Sequence, residues 1–186
     1  MADLPTAPEV ARALADALDA AGIPYAVGGA IAYGLHAPPR ATNDVDLNVF
    51  VELDRLDPAL DALEAGGAVI DRSEASRSAE DRGDFSVRVR GMRVDVFVPS
   101  LHFYESVRRR VRDATLLGRP IRILSAEDLV VFKMLFFRAK DVGDVERLTM
   151  FQGEALDRRY VRQWLVDLVG ETDVRIRRWD EIVARS

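Results

Sequence analysis

Asp44-Val45-Asp46-Leu47 sets two carboxylates two residues apart in an apolar stretch, and Arg93-Val94-Asp95-Val96-Phe97-Val98 carries a third in a similar setting. On an extended strand, residues i and i+2 point to the same face. Asp44 and Asp46 therefore share one face, while Val45 and Leu47 enter a core on the other. Carboxylates crowded in this way repel one another by about 1 to 4 kcal/mol per pair at surface-like dielectrics, and the arrangement becomes favourable when divalent cations sit among the oxygens. The chain has no cysteine and two histidines, His36 and His102, neither of them in a metal-spaced cluster. The available donors are hard oxygens, which suit Mg2+ or Mn2+. Upstream, Gly28-Gly29 ends a short apolar run and opens a helical one, a junction that lets backbone N–H groups approach an anion. Alone, such a pair suits any tight strand–helix junction, and an acidic pair alone suits a solvated strand edge. Together, three strand-borne carboxylates and a phosphate-accepting turn are the parts of a two-metal phosphoryl or nucleotidyl transfer site.

The elements that must position these groups follow from periodicity and punctuation. Thr6-Ala7-Pro8-Glu9 reads as a capping box, and Val10, Leu14 and Leu18 recur at helical spacing until Gly22. Tyr25-Ala26-Val27 reads as a buried strand, Ala30 to His36 as a helix, Asp44 to Val51 as the acidic strand, and Asp57-Pro58 as the start of a helix closing at Gly66-Gly67. Ala68-Val69-Ile70 is a further strand candidate. Ser73 to Gly83 is polar without apolar period and is expected to be a mobile loop. Phe85, Val87 and Val89, then Val94, Val96 and Val98, alternate about a turn at Gly91-Met92 and predict a hairpin. Ser100 begins a helix expected to run through Arg112, and Ile121-Arg122-Ile123 reads as a last short strand. A helix is expected from Ser125 through Ala139, with only helical patterning thereafter. The fold class this predicts is α+β: a mixed β-sheet core over residues 1–124, flanked by helices, with a helical C-terminal part over 125–186.

The 186 residues, 48% hydrophobic and 31% charged, suit a globular domain with a real core. Met1 to Pro5 carries no basic stretch, and the apolar run Leu129 to Phe137 is short and interrupted by Lys133, so neither an export signal nor a membrane span is expected. Without cysteines the fold needs no oxidising compartment, and the expected location is the cytoplasm. A formal charge of -5 excludes a globally basic nucleic-acid binder. Arg108, Arg109, Arg110 and Arg112 are nonetheless candidates for a local basic patch, against the alternative of a solvated helix face. Only Lys133 and Lys140 among the 26 basic residues are lysines, which singles out Lys133 as a place where a compact ammonium is required. The competing reading of Lys133 is a snorkelling side chain at the boundary of an apolar helix.

Val27-Gly28-Gly29-Ala30, Arg40-Ala41-Thr42-Asn43-Asp44-Val45-Asp46-Leu47 and Asp95 resemble the polymerase-beta-type nucleotidyltransferase superfamily. The Arg-x-Thr-x-Asp-x-Asp-Leu string is similar to its AbiEii/MenT-like toxin branch. Lys133, Arg138, Asp141 and Asp144, in Lys-Met-Leu-Phe-Phe-Arg-Ala-Lys-Asp-Val-Gly-Asp-Val-Glu-Arg-Leu, resemble that branch's helical motif. The resemblance implies a nucleotidyltransferase-like fold, with Asp44, Asp46 and Asp95 as metal ligands and Asp95 assisting deprotonation of the acceptor. It also implies Gly28, Gly29, Arg40, Thr42, Lys133, Asp141 and Asp144 as nucleotide-binding residues, with Lys133 counted among the catalytic ones. The cofactor would be Mg2+ (or Mn2+) and the donor an NTP. The acceptor would be RNA, most plausibly the 3' end of tRNA, with the chain acting as the toxin of a toxin–antitoxin pair and a cognate antitoxin as partner. Two alternatives stand beside this: transfer to a small molecule such as an aminoglycoside or lincosamide antibiotic, and a nucleotide-binding regulatory module without turnover. The four intact residues Asp44, Asp46, Asp95 and Lys133 count against the last.

Overall fold

A computed structural model describes residues 5–186. The described chain forms two compact units, residues up to Ile31 with Arg40–Leu124, and Ala32–Pro39 with Ser125–Ser186. Residues 32–39, which the sequence reading places in the core, thus group with the C-terminal helices.

The first unit is built on a seven-stranded mixed sheet: β1 (Tyr25–Val27), β2 (Asp44–Val49), β3 (Ala68–Val69), β4 (Asp84–Val89), β5 (Met92–Phe97), β6 (Arg112–Leu116) and β7 (Arg119–Ile123). Their order is β3-β4-β5-β2-β1-β7-β6. β2 lies in the middle, parallel to β5 and antiparallel to β1. Its alternation is that of a strand with one face in the core: Val45 and Leu47 are fully buried, whereas Asp44 and Asp46 are half-buried. Helix α1 (Ala7–Ala20) begins with the expected Thr6/Glu9 capping box and packs on β1, β2, β7 and α3 (Asp57–Ala65). Arg12 ties α1 to the sheet: buried, it pairs with Asp16 and donates to the Pro120 carbonyl.

Three stretches differ from the sequence reading. Residues expected as a loop from Ser73 form helix α4 (Arg72–Arg82), which packs on β4. Its Asp71 N-cap accepts from Glu74 N–H and it stops at left-handed Gly83. Its buried contacts are the small residues Ala75, Ser78 and Ala79, which leave no apolar period to read. The helix expected through Arg112 is shorter, α5 (Phe103–Arg110), and the chain then forms a hairpin of β6 and β7. The hairpin turns at Leu117-Gly118, both with positive φ, as a two-residue primed turn requires.

The second unit is helical: α6 (Ala126–Phe136), α7 (Ala139–Gln152), α8 (Arg158–Val169) and α9 (Val174–Val183), together with the later part of α2 (Gly29–His36). The third difference lies here. Where one helix through Ala139 is expected, α6 stops at Phe137, a left-handed residue, and Arg138 caps α7. Trp179, Leu165, Val161, Val145 and Met134 are among the second unit's fully or almost fully buried side chains.

Candidate active site

The parallel register of β2 and β5 sets Asp46 directly opposite Asp95 and Asp44 opposite Arg93. Adjacent strands lie about 4.8 Å apart, so three carboxylates and one guanidinium share a small area on a single face of the sheet. Arg93, two residues before Asp95, was not singled out in the sequence. It donates from Nε to Asp95 Oδ1 at 2.8 Å, and Ser86 Oγ donates to the same oxygen at 2.6 Å. Asp95 foremost, with Asp44 and Asp46 adding to it, holds the Arg93 pKa above its ordinary value. The signal was present in Arg93-Val94-Asp95, because the same alternation that aims Asp95 aims Arg93 beside it.

Gly28 and Gly29 stand where β1 passes into α2. Gly28 N–H donates to the Asp46 carbonyl at 2.9 Å, so this amide braces the acidic strand. Gly29 has φ +54, and a Cβ there would lie 1.7 Å from Asp46 Oδ2. The glycine is required both for its backbone and for the space its absent side chain cedes to the Asp46 carboxylate. Thr42 donates its hydroxyl to the Asp44 carboxylate. Arg40 is exposed and donates to the Ala41 carbonyl at 3.4 Å. The structure thus gathers Gly28, Gly29, Thr42, Asp44, Asp46 and Asp95 in the first unit.

The donor set suits a hard divalent cation: three carboxylates, no sulfur, no imidazole. Among the described residues no three His, Asp or Glu side chains already converge as a metal cage. In their present rotamers Asp44 is turned to Thr42, and Asp95 to Ser86 and Arg93. Arg93 thereby supplies the positive charge that three adjacent carboxylates need.

In the second unit, Lys133 is 5% exposed and bonds Asp144 at 2.7 Å, with Asp141 at 3.8 Å. Arg138 pairs with Asp141 at 2.6 Å, and Arg147 with Asp144 at 2.9 Å. Arg147 also donates to the Tyr33 hydroxyl at 3.3 Å; that bond first, and Asp144 next, raise its pKa. Lys133, Asp141 and Asp144 therefore come together, all three buried, within an ion cluster joining α6 and α7. Asp141 also serves as the N3 residue of the α7 capping box.

Arg108 lines a different pocket of the first unit, about 540 Å³, with Pro24, Tyr25, Phe50, Asp113 and Arg122. That pocket sits at the end of β1 and β2 opposite to Gly28 and Asp44. Arg122 there stacks 5.5 Å from the Tyr25 ring centroid and pairs with Asp19. Burial first, then the Asp19 charge, raises the Tyr25 pKa.

No helix among the described residues is long and apolar enough to cross a membrane. No family model matches the chain, and no curated protein matches it. Among solved structures, the chain is similar to the antibiotic-resistance factor ANT(2'')-Ia in solution, with a TM-score of 0.62 and 14% identity over 86% of this chain and 89% of that one. It is also similar to crystalline ANT(2")-Ia in complex with adenylyl-2"-tobramycin, at 0.62 and 16% over 86% and 95%. An antigenic nucleotidyltransferase-like protein from Paracoccidioides brasiliensis aligns at 0.47 and 16% over 91% of each chain. The mixed seven-stranded sheet with flanking helices and C-terminal helices is a nucleotidyltransferase fold.

Proposed function

We propose that the chain is a Mg2+-dependent nucleotidyltransferase that moves a nucleoside monophosphate from an NTP to a hydroxyl acceptor. The observation that carries this reading is the placement of Asp46 opposite Asp95, with Asp44 on the same face and Gly29 shaped around the Asp46 carboxylate. Asp44, Asp46 and Asp95 would hold the metal. Bound there, Mg2+ supplies neutralisation of the triphosphate and of the charge that develops during transfer. The acceptor oxygen forms a bond to the α-phosphorus as the bond from that phosphorus to the β-phosphate oxygen breaks, and pyrophosphate leaves. The acceptor proton would pass to Asp95, whose carboxylate Ser86 and Arg93 hold in place through Oδ1. A triphosphate contact by Arg40 belongs to the same proposal.

The acceptor we favour is RNA, at the 3' end of tRNA, with the chain as a toxin restrained by an antitoxin, because the Arg40–Leu47 and Lys133–Leu148 motifs resemble that branch. Likeness in fold to a protein whose complex contains adenylyl-2"-tobramycin supports a second reading, with an aminoglycoside as acceptor. Incubation with each labelled NTP, Mg2+, and either total RNA or tobramycin tests both. Label in a tRNA-sized band supports the first reading and labelled tobramycin the second; label in neither, with any NTP, overturns nucleotidyl transfer.

A further inference from the structure

The sheet face that bears the carboxylates continues sideways past Asp95 into an open, basic groove. β4 pairs with β5 so that Ser86 stands opposite Asp95 and Arg88 opposite Arg93, and β3 sets Val69 opposite Arg88. Alternation puts Val69, Ser86, Arg88 and Arg93 on the same face as Asp44, Asp46 and Asp95. All four are exposed, whereas Phe85, Val87, Val89, Val94 and Val96 fill the core behind them. The groove holds about 530 Å³ and is lined by Val69, Ser86, Val87, Arg88, Gly91 and Arg93.

Two guanidinium groups directly opposite one another on neighbouring strands repel, and such like-charge pairs destabilise a hairpin. Arg93 is paired with Asp95 at 2.8 Å, whereas Arg88 has no such carboxylate partner among the described residues. Among the described residues Arg88 donates from Nη1 alone, to the Gly91 carbonyl at 2.8 Å. Arg93 uses Nε toward Asp95 and Nη2 toward Ser86. The remaining N–H donors of both forks are those a phosphate can take, and an anion bridging the pair would relieve their repulsion.

We propose that Arg88 and Arg93 form a phosphate-gripping ledge for a nucleic-acid acceptor, holding its phosphodiester backbone so that the terminal hydroxyl reaches Asp95. This rests on the nucleotidyl transfer reading and names the residues that would hold its acceptor. The arginine run after Ser106 is less well placed, since Arg108 opens on the pocket at the far end of β1 and β2.

The test is binding of fluorescein-labelled tRNA to the full chain by anisotropy across a salt series, alongside label transfer from NTP. Arg88→Glu is expected to weaken tRNA binding about tenfold or more while the KM for NTP stays at the parent value. Arg88→Ala should lower the slope of log K against log salt by about one unit, and Arg88→Lys should restore most of the binding. Arg108→Glu should leave binding within about twofold of the parent, as a contact remote from the acceptor path would. Parent-like tRNA binding by Arg88→Glu, no tRNA binding by the parent, or a raised KM for NTP in place of weaker tRNA binding would overturn the ledge. Labelled tobramycin with unlabelled tRNA would overturn it too, and leave nucleotidyl transfer standing. Binding that depends on Arg88 without transfer from any NTP would do the reverse, keeping the ledge and removing the reaction.

Discussion

Gly29 and Asp46 are in such close contact that the carboxylate occupies the space where any other residue would carry its Cβ, 1.7 Å from Oδ2. Gly28, its neighbour, would place a Cβ 3.1 Å from side-chain atoms of Asn48 and Leu124. The two glycines therefore differ sharply in tolerance. Gly29→Ala is expected to lose transfer and to destabilise the fold by about 1 to 3 kcal/mol, from the displaced carboxylate and the left-handed backbone together. Gly28→Ala should retain measurable activity. Urea unfolding and transfer assays on both variants check this, and equal behaviour of the two would contradict it.

Asp46→Asn should abolish transfer while leaving stability unchanged or raised, because it removes one of three neighbouring like charges. The parent should melt at higher temperature when Mg2+ and NTP are added, and the variant should lose that increment. Thermal melts with and without Mg2+ plus NTP separate the two effects. A folded Asp46→Asn with near-parental transfer would remove the metal assignment.

Lys133 bonds Asp144 and lies near Asp141 with almost no exposure, so its loss leaves buried negative charge without its nearest cation. Lys133→Ala is expected to destabilise by about 3 to 5 kcal/mol. Arg138 and Arg147, which also pair with these carboxylates, set the lower end of that range. Nucleotide titration of a folded Lys133→Met variant then reads the nucleotide-binding role that the resemblance implies apart from the structural one. Unchanged stability in Lys133→Ala would refute the buried cluster as a stabilising link between α6 and α7.

Phe137 ends α6 in the left-handed region at φ +53, a conformation that costs a bulky residue about 1 to 2 kcal/mol. Since its side chain is only partly buried, Phe137→Gly should be stabilising or neutral, by up to about 1 kcal/mol, where a large-to-small change in a helix interior would cost as much. Chemical denaturation of the variant checks the sign.

What the sequence disclosed, it disclosed through alternation and punctuation. Asp44, Asp46 and Asp95 were legible because Val45, Leu47, Val94 and Val96 declare which face is core, and the α1 boundaries because Thr6, Glu9 and Gly22 mark them. Helix α4 was hidden because Ala75, Ser78 and Ala79 make its buried face from small residues, although Asp71 and Gly83 flank it with capping chemistry. The break at Phe137 carries no glycine or proline. β6 was hidden because only Ala114 and Leu116 of Arg112 to Leu116 are apolar, and neither is fully buried on this outer strand. Arg93 escaped notice because its meaning is relational: only the register shows which carboxylates it faces.

β2 does two jobs with one backbone, giving its odd-numbered side chains to the interior and Asp44 and Asp46 to solvent. A one-residue insertion or deletion inside Asp44–Val49 would exchange the two sets, burying carboxylates and exposing Val45 and Leu47 in a single step. Point substitution can tune either face on its own, whereas any frame slip destroys both together. Length variation compatible with the reaction is therefore confined to the connections on either side of this strand, and an indel scan along residues 40–52 would show it as an abrupt window of intolerance spanning β2.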